Sequence, residues 1–173
     1  MEYIVTRRQK NSASCFVCGL LNEMSLRARF YETTSNEVVA LFTTLNEHQS
    51  YPGRLHGGVT AAILDETIGR AIFCYNDTDK EIWGVTIDIK VEYKRPVPLG
   101  CELKVVGRIV KNEGRIYEAE GKLYLPNGKV AAVAYGRYMK QPYERIVVGG
   151  SKEDEEFGWD FPLDEVVPDT INL

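Results

Sequence analysis

The sequence predicts an α+β fold, a curved antiparallel sheet wrapped around one long central helix. Three observations carry this. From His56 to about Cys74 the chain reads as a helix in which Val59, Ile63, Leu64, Ile68, Ile72 and Phe73 leave no clean polar face, and a helix that is apolar nearly all round has to be enclosed. Much of the remaining chain alternates apolar and polar residues between turn signals, the pattern of antiparallel strands. A single helix of this kind leaves the sheet to enclose it.

Taken in order, residues 1–24 read as an irregular or weakly helical N-terminal extension carrying a CxxC pair, Cys15 and Cys18. Leu26 to Tyr31 and Glu37 to Leu45 alternate around the turn signal Thr33-Thr34-Ser35-Asn36, a hairpin. The loop from His48 to Arg54 leads into the helix, which opens on Gly57-Gly58. After the turn Asn76-Asp77-Thr78-Asp79 comes the clearest strand. Val85, Ile87, Ile89, Val91 and Tyr93 share one face, and Thr86, Asp88, Lys90, Glu92 and Lys94 the other. Proline cannot donate to a ladder, so the strand stops at Arg95-Pro96-Val97-Pro98. Leu103 to Ile109 alternate next, Asn112-Glu113-Gly114 turns the chain, and Tyr117 to Leu125 return. Pro126-Asn127-Gly128 is a strong hairpin signal, and a last strand runs from Val130 to about Met139. Residues 25–140 thus form the α+β body. The tail, 141–173, holds Gly149-Gly150-Ser151, the acidic run from Glu153 to Glu156, and Phe157, Trp159 and Phe161. It reads as a partly ordered appendage whose aromatic residues dock on the body.

The length of 173 residues suits one domain with a real core. A net charge of -4 argues against a general nucleic-acid or anionic-membrane binder. No apolar run reaches the ~18 residues that span a bilayer, and Met1 to Arg8 lacks the apolar core of a secretory signal. The four cysteines do not make a dense disulfide framework, so a cytoplasmic, reduced chain is expected. Cys15 and Cys18 have no second pair, and the only histidines are His48 and His56, so no metal is expected. Nor does the pair sit at a βα junction, where a redox dithiol would be looked for.

The chemistry concentrates at the start of the helix. Asp65 lies nine residues after His56 on an otherwise apolar helix, where an unpaired acid would carry a desolvation penalty. Gly57 and Gly58 let a ligand or another backbone approach the helix N-terminus, whose free N–H groups and positive dipole end can polarise an oxygen. An acid near backbone donors is equipment for attacking a carbonyl. His56 has two readings, a positioning group or only the helix cap. Glu66 projects about 100° away from Asp65 and reads as an ion-pair partner.

In that order, these residues resemble the hotdog-fold acyl-CoA thioesterases, in particular the phenylacetate-pathway-type and mitochondrial acyl-CoA thioesterase branches. The resemblance covers roughly residues 14–140. It rests on Cys15-Phe16-Val17-Cys18-Gly19, on His56-Gly57-Gly58 followed by Asp65, and on Thr86 through Lys94-Arg95-Pro96-Val97-Pro98-Leu99. The resemblance implies that Asp65 is the catalytic carboxylate, acting as general base on water or as nucleophile on the thioester carbonyl. It implies that the Gly57 N–H, with Gly58 beside it, polarises that carbonyl. Thr86 then matches a strand hydroxyl that orients the water or the acid, and His56 a positioning histidine. Gln49 would serve in the preceding loop, and Lys94 and Arg95 would meet the phosphates of coenzyme A. The acyl group would lie in a slot bounded by Ile63, Leu64 and Ile68.

The implied partners are an acyl-CoA substrate and further copies of the chain, a dimer or dimer of dimers with composite sites, with neither metal nor organic cofactor. The alternatives are a hotdog dehydratase or hydratase using His56 with an acid, and a non-catalytic acyl-CoA-binding protein.

Overall fold

The structure, a computed structural model, describes residues 1–75, 82–148, 157–159 and 166–173. The strands are β1 (Glu2–Arg8), β2 (Asn11–Ser12), β3 (Arg29–Thr33), β4 (Val38–Thr43), β5 (Ile82–Tyr93), β6 (Glu102–Glu113), β7 (Ile116–Tyr124), β8 (Val130–Pro142), β9 (Phe157–Trp159) and β10 (Thr170–Asn172). The helix α1 spans Gly57–Gly69 and passes directly into a 3-10 segment, Arg70–Tyr75. Eight strands form one antiparallel sheet in the order β10-β1-β3-β4-β6-β7-β8-β5, and β2 pairs separately with β9.

The expected architecture is therefore present, with α1 packed across β4 to β8. Ile63, Leu64 and Ile68 are fully buried and join Val105, Tyr117, Ala119 and Leu123 in the main core. Gly107 and Gly121 face each other across β6 and β7 and bring the helix close. A Cβ on Gly121 would lie 2.5 Å from Ile68 Cγ2, and one on Gly107 3.1 Å from the Thr67 carbonyl oxygen. Side chains there would push α1 off the sheet. The hairpin turn at Gly128 takes a φ of +76°, a left-handed conformation that glycine adopts without strain.

Two expectations need correction. The first residues of the chain are not irregular or weakly helical: β1 pairs with both β3 and β10. The apolar run Tyr3-Ile4-Val5 is short, does not alternate and ends in Thr6-Arg7-Arg8, which hid the strand. A second core cluster under this edge unites Tyr3, Tyr31, Val39, Leu41, Val106 and Ile171. The acidic run and Phe161 lie outside the described residues, as does the turn at 76–79, while Phe157–Trp159 forms β9 against β2.

The second correction concerns β5, which does not alternate without interruption. Its register with β8 shifts between Thr86, opposite Tyr138, and Asp88, opposite Arg137. Ile87 is the extra residue of a bulge, and a bulge reverses which face the following residues present. Ile89 and Val91 pack on the core. Val85, Ile87 and Tyr93 are exposed at 38%, 42% and 56% on the outermost strand of the sheet.

Candidate active site

The bulge is what makes the site. By simple alternation Thr86 would turn away from the core face of Ile89 and Val91. With Ile87 inserted, Thr86 turns toward α1 instead, and its hydroxyl donates to Asp65 Oδ1 at 3.0 Å and faces Oδ2 at 3.3 Å. Asp65 stands half-buried on α1. A second donor comes from β8: the Tyr138 hydroxyl reaches Asp65 Oδ1 at 2.8 Å and the Asp65 carbonyl at 3.3 Å. Two hydroxyls on one oxygen hold the carboxylate in a fixed orientation and leave Oδ2 the less encumbered oxygen.

Tyr138 is itself firmly placed. Its ring stacks on Tyr117 with centroids 5.1 Å apart and planes 15° apart. The Tyr117 hydroxyl donates to the Gly69 carbonyl at 2.6 Å. Burial first, then the neighbouring Asp65 charge, pushes both phenols well above the usual tyrosine range, so each stays a protonated donor. Space for the pair comes from glycines. A Cβ on Gly136 would lie 2.9 Å from the Tyr138 ring, and one on Gly84 only 1.7 Å from the Tyr117 hydroxyl.

These residues open on a cleft whose wall includes Cys15, Asp65, Glu66, Arg70, Thr86 and Tyr138. Glu66 pairs with Arg70 at 2.8 Å, in keeping with an ion-pair role. Arg70 is 5% exposed, and its guanidinium also donates to the Lys10 carbonyl at 3.0 Å and lies 4.3 Å from the Phe30 ring centroid.

Of the residues singled out in the sequence, the single chain brings Asp65 and Thr86 together and leaves the others elsewhere. His56 is the N-cap of α1, and its Nδ1 accepts the Gly58 N–H at 2.9 Å. That commits Gly58, so its N–H is not free to meet a carbonyl, while the Gly57 N–H is a first-turn donor without an intrahelical acceptor. Tyr93 donates to the Gly57 carbonyl at 2.8 Å. Gln49 accepts the Gly53 N–H at 2.9 Å and shapes the loop before the helix. His48 is buried, taking the Leu45 N–H on Nδ1 and lying 2.8 Å from the Met24 carbonyl through Nε2.

Lys94 is drawn to Glu92 at 2.5 Å, and Arg95 donates to the Val130 carbonyl. The hydrogen bond from Lys94, then that from Lys90, holds the Glu92 carboxyl down at about 2. Ile63, Leu64 and Ile68 do not bound the cleft. All three are fully buried against the sheet, because that stripe of α1 is the one the strands cover.

Sequence reasoning missed Tyr138, Arg70 and Cys15 as wall residues. Tyr138 was one aromatic in an alternating strand, and the small Gly136 two positions earlier was the signal that its ring needs room. Arg70 was visible only as a charge interrupting an apolar run.

A long helix gripped by a large antiparallel sheet, with an acid on its sheet-edge flank, defines the hotdog class. The comparisons agree. Residues 52–132 match the family described as the thioesterase superfamily. Acyl-coenzyme A thioesterase 13 of Homo sapiens is 29% identical over 75 residues, 43% of this chain and 51% of the relative. Acyl-coenzyme A thioesterase THEM4 of Rattus norvegicus is 34% identical over 86 residues, 50% of this chain and 35% of the relative. The chain thus spans about half or less of the curated relatives it matches. A crystal structure described as a thioesterase superfamily protein superposes with a TM-score of 0.66 at 26% identity, covering 72% of this chain and 59% of that one. The structure of zebra fish thioesterase superfamily member 2 shares the fold, with a TM-score of 0.54 at 24% identity over 60% of this chain and 73% of its own.

Proposed function

We propose that the chain is an acyl-CoA thioesterase, hydrolysing the thioester to a free acid and coenzyme A. The observation that carries this is Asp65, held by Thr86 and Tyr138 at the cleft, within a thioesterase-superfamily segment. Oδ1 takes both hydroxyl donors, so Oδ2 is the atom that removes a proton from water. The water oxygen then attacks the thioester carbonyl, and the coenzyme A thiolate leaves. The developing oxyanion needs a donor, and the Gly57 N–H is suited to it.

That donor cannot come from the same helix. Gly57 and Asp65 are eight residues apart, about 12 Å along α1 at 1.5 Å per residue. We infer that two copies pair through β5, placing the helix start of one beside Asp65 of the other. The exposed Val85, Ile87 and Tyr93 on this outermost strand support the pairing. An open strand edge with apolar side chains is prone to join another chain. Lys94 and Arg95 lie near this edge and would meet the phosphates of coenzyme A. Among the described residues no helix is long and apolar enough to cross a membrane, and Cys15, Cys18, Cys74 and Cys101 are free thiols, which supports a reducing, cytoplasmic setting. A panel of acyl-CoA thioesters with free-thiol detection, run beside an enoyl-CoA hydration assay, tests the reading. Hydration without thiol release would replace it with the hydratase alternative, and saturable binding without either reaction with the binding-protein alternative.

A further inference from the structure

The cleft has a second reactive group that the hydrolysis does not use. Cys15 and Cys18 lie on a tight turn closed by the Gly19 N–H on the Cys15 carbonyl at 2.8 Å. Gly19 is required there, because a Cβ would lie 2.4 Å from the Cys15 carbonyl oxygen. The two Sγ atoms and a Glu66 carboxylate oxygen all lie within 4.8 Å of one another. Cys15 is half-buried in the cleft wall, and Cys18 is fully buried behind it. The backbone N–H groups of Val17 and Cys18 point at Cys15 Sγ at 3.3 and 3.5 Å. The Arg70 guanidinium donates to Cys18 Sγ at 3.2 Å.

This arrangement favours a thiolate at the exposed sulfur. The adjacent Cys18 thiol, aided by the two backbone N–H groups, brings Cys15 down to about 7. The neighbouring Cys15 and burial push Cys18 up, and its thiol donates to Ser12 Oγ at 3.6 Å. Burial pushes Cys74 up to about 12 and raises Cys101. The same three donors would suit a soft metal ion by count, but Arg70 places a fixed positive charge against Cys18 and Glu66. A cation there would be repelled, whereas a thiolate is steadied.

We propose that Cys15 and Cys18 form an oxidation site in the wall of the Asp65 cleft, with Cys15 the attacking thiol and Cys18 the resolving one. The oxidant is a hydroperoxide. The Cys15 thiolate attacks its terminal oxygen, an S–O bond forms, the O–O bond breaks, and the alkoxide leaves as the alcohol after taking a proton. Cys15 becomes a sulfenic acid, oxidised by two electrons, and the peroxide is reduced. Cys18 then attacks Cys15 Sγ, the S–S bond forms, and the departing hydroxide takes the Cys18 proton and leaves as water. A dithiol reductant returns both thiols. The inference stands apart from the hydrolytic reading, since it is read by mass.

The test uses the full reduced chain. Brief labelling with isotope-coded iodoacetamide at neutral pH should modify Cys15 at least about five-fold faster than Cys74 or Cys101. That figure sets a larger thiolate fraction against the lower nucleophilicity of a more acidic thiol. Equimolar tert-butyl hydroperoxide should remove the mass of two hydrogen atoms, mapped to a Cys15–Cys18 disulfide and reversed by dithiothreitol. In Cys18→Ser the reaction should stop at Cys15 as a dimedone-trappable sulfenic acid. Equal labelling of all four cysteines, a disulfide between other pairs, or stoichiometric zinc that both Cys15 and Cys18 are needed to retain would each overturn the proposal. The labelling and mass measurements on the unmutated chain decide the matter even where a variant folds poorly.

Discussion

Replacing Tyr138 with phenylalanine should lower kcat about 10- to 40-fold while leaving KM and the fold nearly unchanged. The hydroxyl donates to Asp65 Oδ1 at 2.8 Å, and a hydrogen bond to a charged group contributes roughly 1.5–3 kcal/mol. Asp65 is half-buried and keeps Thr86, so part of that energy is recovered by the remaining donor and by solvent. At about 1.4 kcal/mol per factor of ten in rate, the lower and middle parts of that range give the stated loss. The ring stays, stacked on Tyr117 at 5.1 Å, so thermal unfolding should move little. Thiol release should be measured at saturating and limiting acyl-CoA, beside the midpoint of unfolding. Combining Tyr138→Phe with Thr86→Val should cost less or more than the sum of the single changes, because both donors hold one carboxylate. A phenylalanine variant with kcat within about two-fold of the parent and an intact fold would refute the positioning role and reduce Tyr138 to a packing residue.

Asp65→Asn should fold and lose at least ~100-fold in kcat, the low end for a positioned acid–base group; normal turnover would remove it from the chemistry. Gly84→Ala sets a methyl group 1.7 Å from the Tyr117 hydroxyl, so overpacking of about 1–3 kcal/mol should lower the melting temperature and kcat together, and an unchanged melting curve would show that β5 yields. Neutralising Lys94 and Arg95 together should raise KM for coenzyme A thioesters and spare a short thioester lacking the nucleotide, with KM rising with salt as surface charges are screened over ~8 Å; equal losses on both substrates would assign the pair to the strand end. Gly57→Pro deletes one N–H at the first helical position, where proline is well tolerated, and His56 already has the extended backbone, ψ 136°, that a following proline requires. Mixing inactive Gly57→Pro chains with inactive Asp65→Asn chains should restore part of the activity, and no recovery despite proven exchange would argue against composite sites.

The helix and its acid were legible because they broke patterns. Asp65 stood out as a charge on an apolar helix, and Val59, Ile63, Leu64 and Ile68 required a wrapping sheet before any strand was placed. The hairpins at Asn36, Gly114 and Gly128 could be read from their turn residues, and all three have positive φ. What could not be read depends on registers and on contacts across the chain. The bulge at Ile87 has no sequence mark, so Thr86 was recognised while its facing was explained wrongly. Tyr138 reaches Asp65 across 73 positions, and nothing local to β8 announces it. Ile63, Leu64 and Ile68 were assigned to the acyl slot because apolar residues of a core and of a ligand site share one composition. His56 was open between two roles, and its bond to Gly58 shows the capping one at atomic distance.

The extra residue in β5 has a consequence for how this protein can be varied. Strand positions before and after Ile87 follow opposite parities, so one strand carries two frames joined at a single insertion. Side chains within either frame can be exchanged while the phase is kept. Drawing Ile87 into the ladder would swing Thr86 outward and bring Val85 round to Asp65, whereas deleting Ile87 would leave a uniform phase with Thr86 still turned inward. The partnership of Thr86 with the acid therefore depends on one residue staying out of the ladder as much as on residue identity. Replacements that straighten this strand can break it without touching either partner.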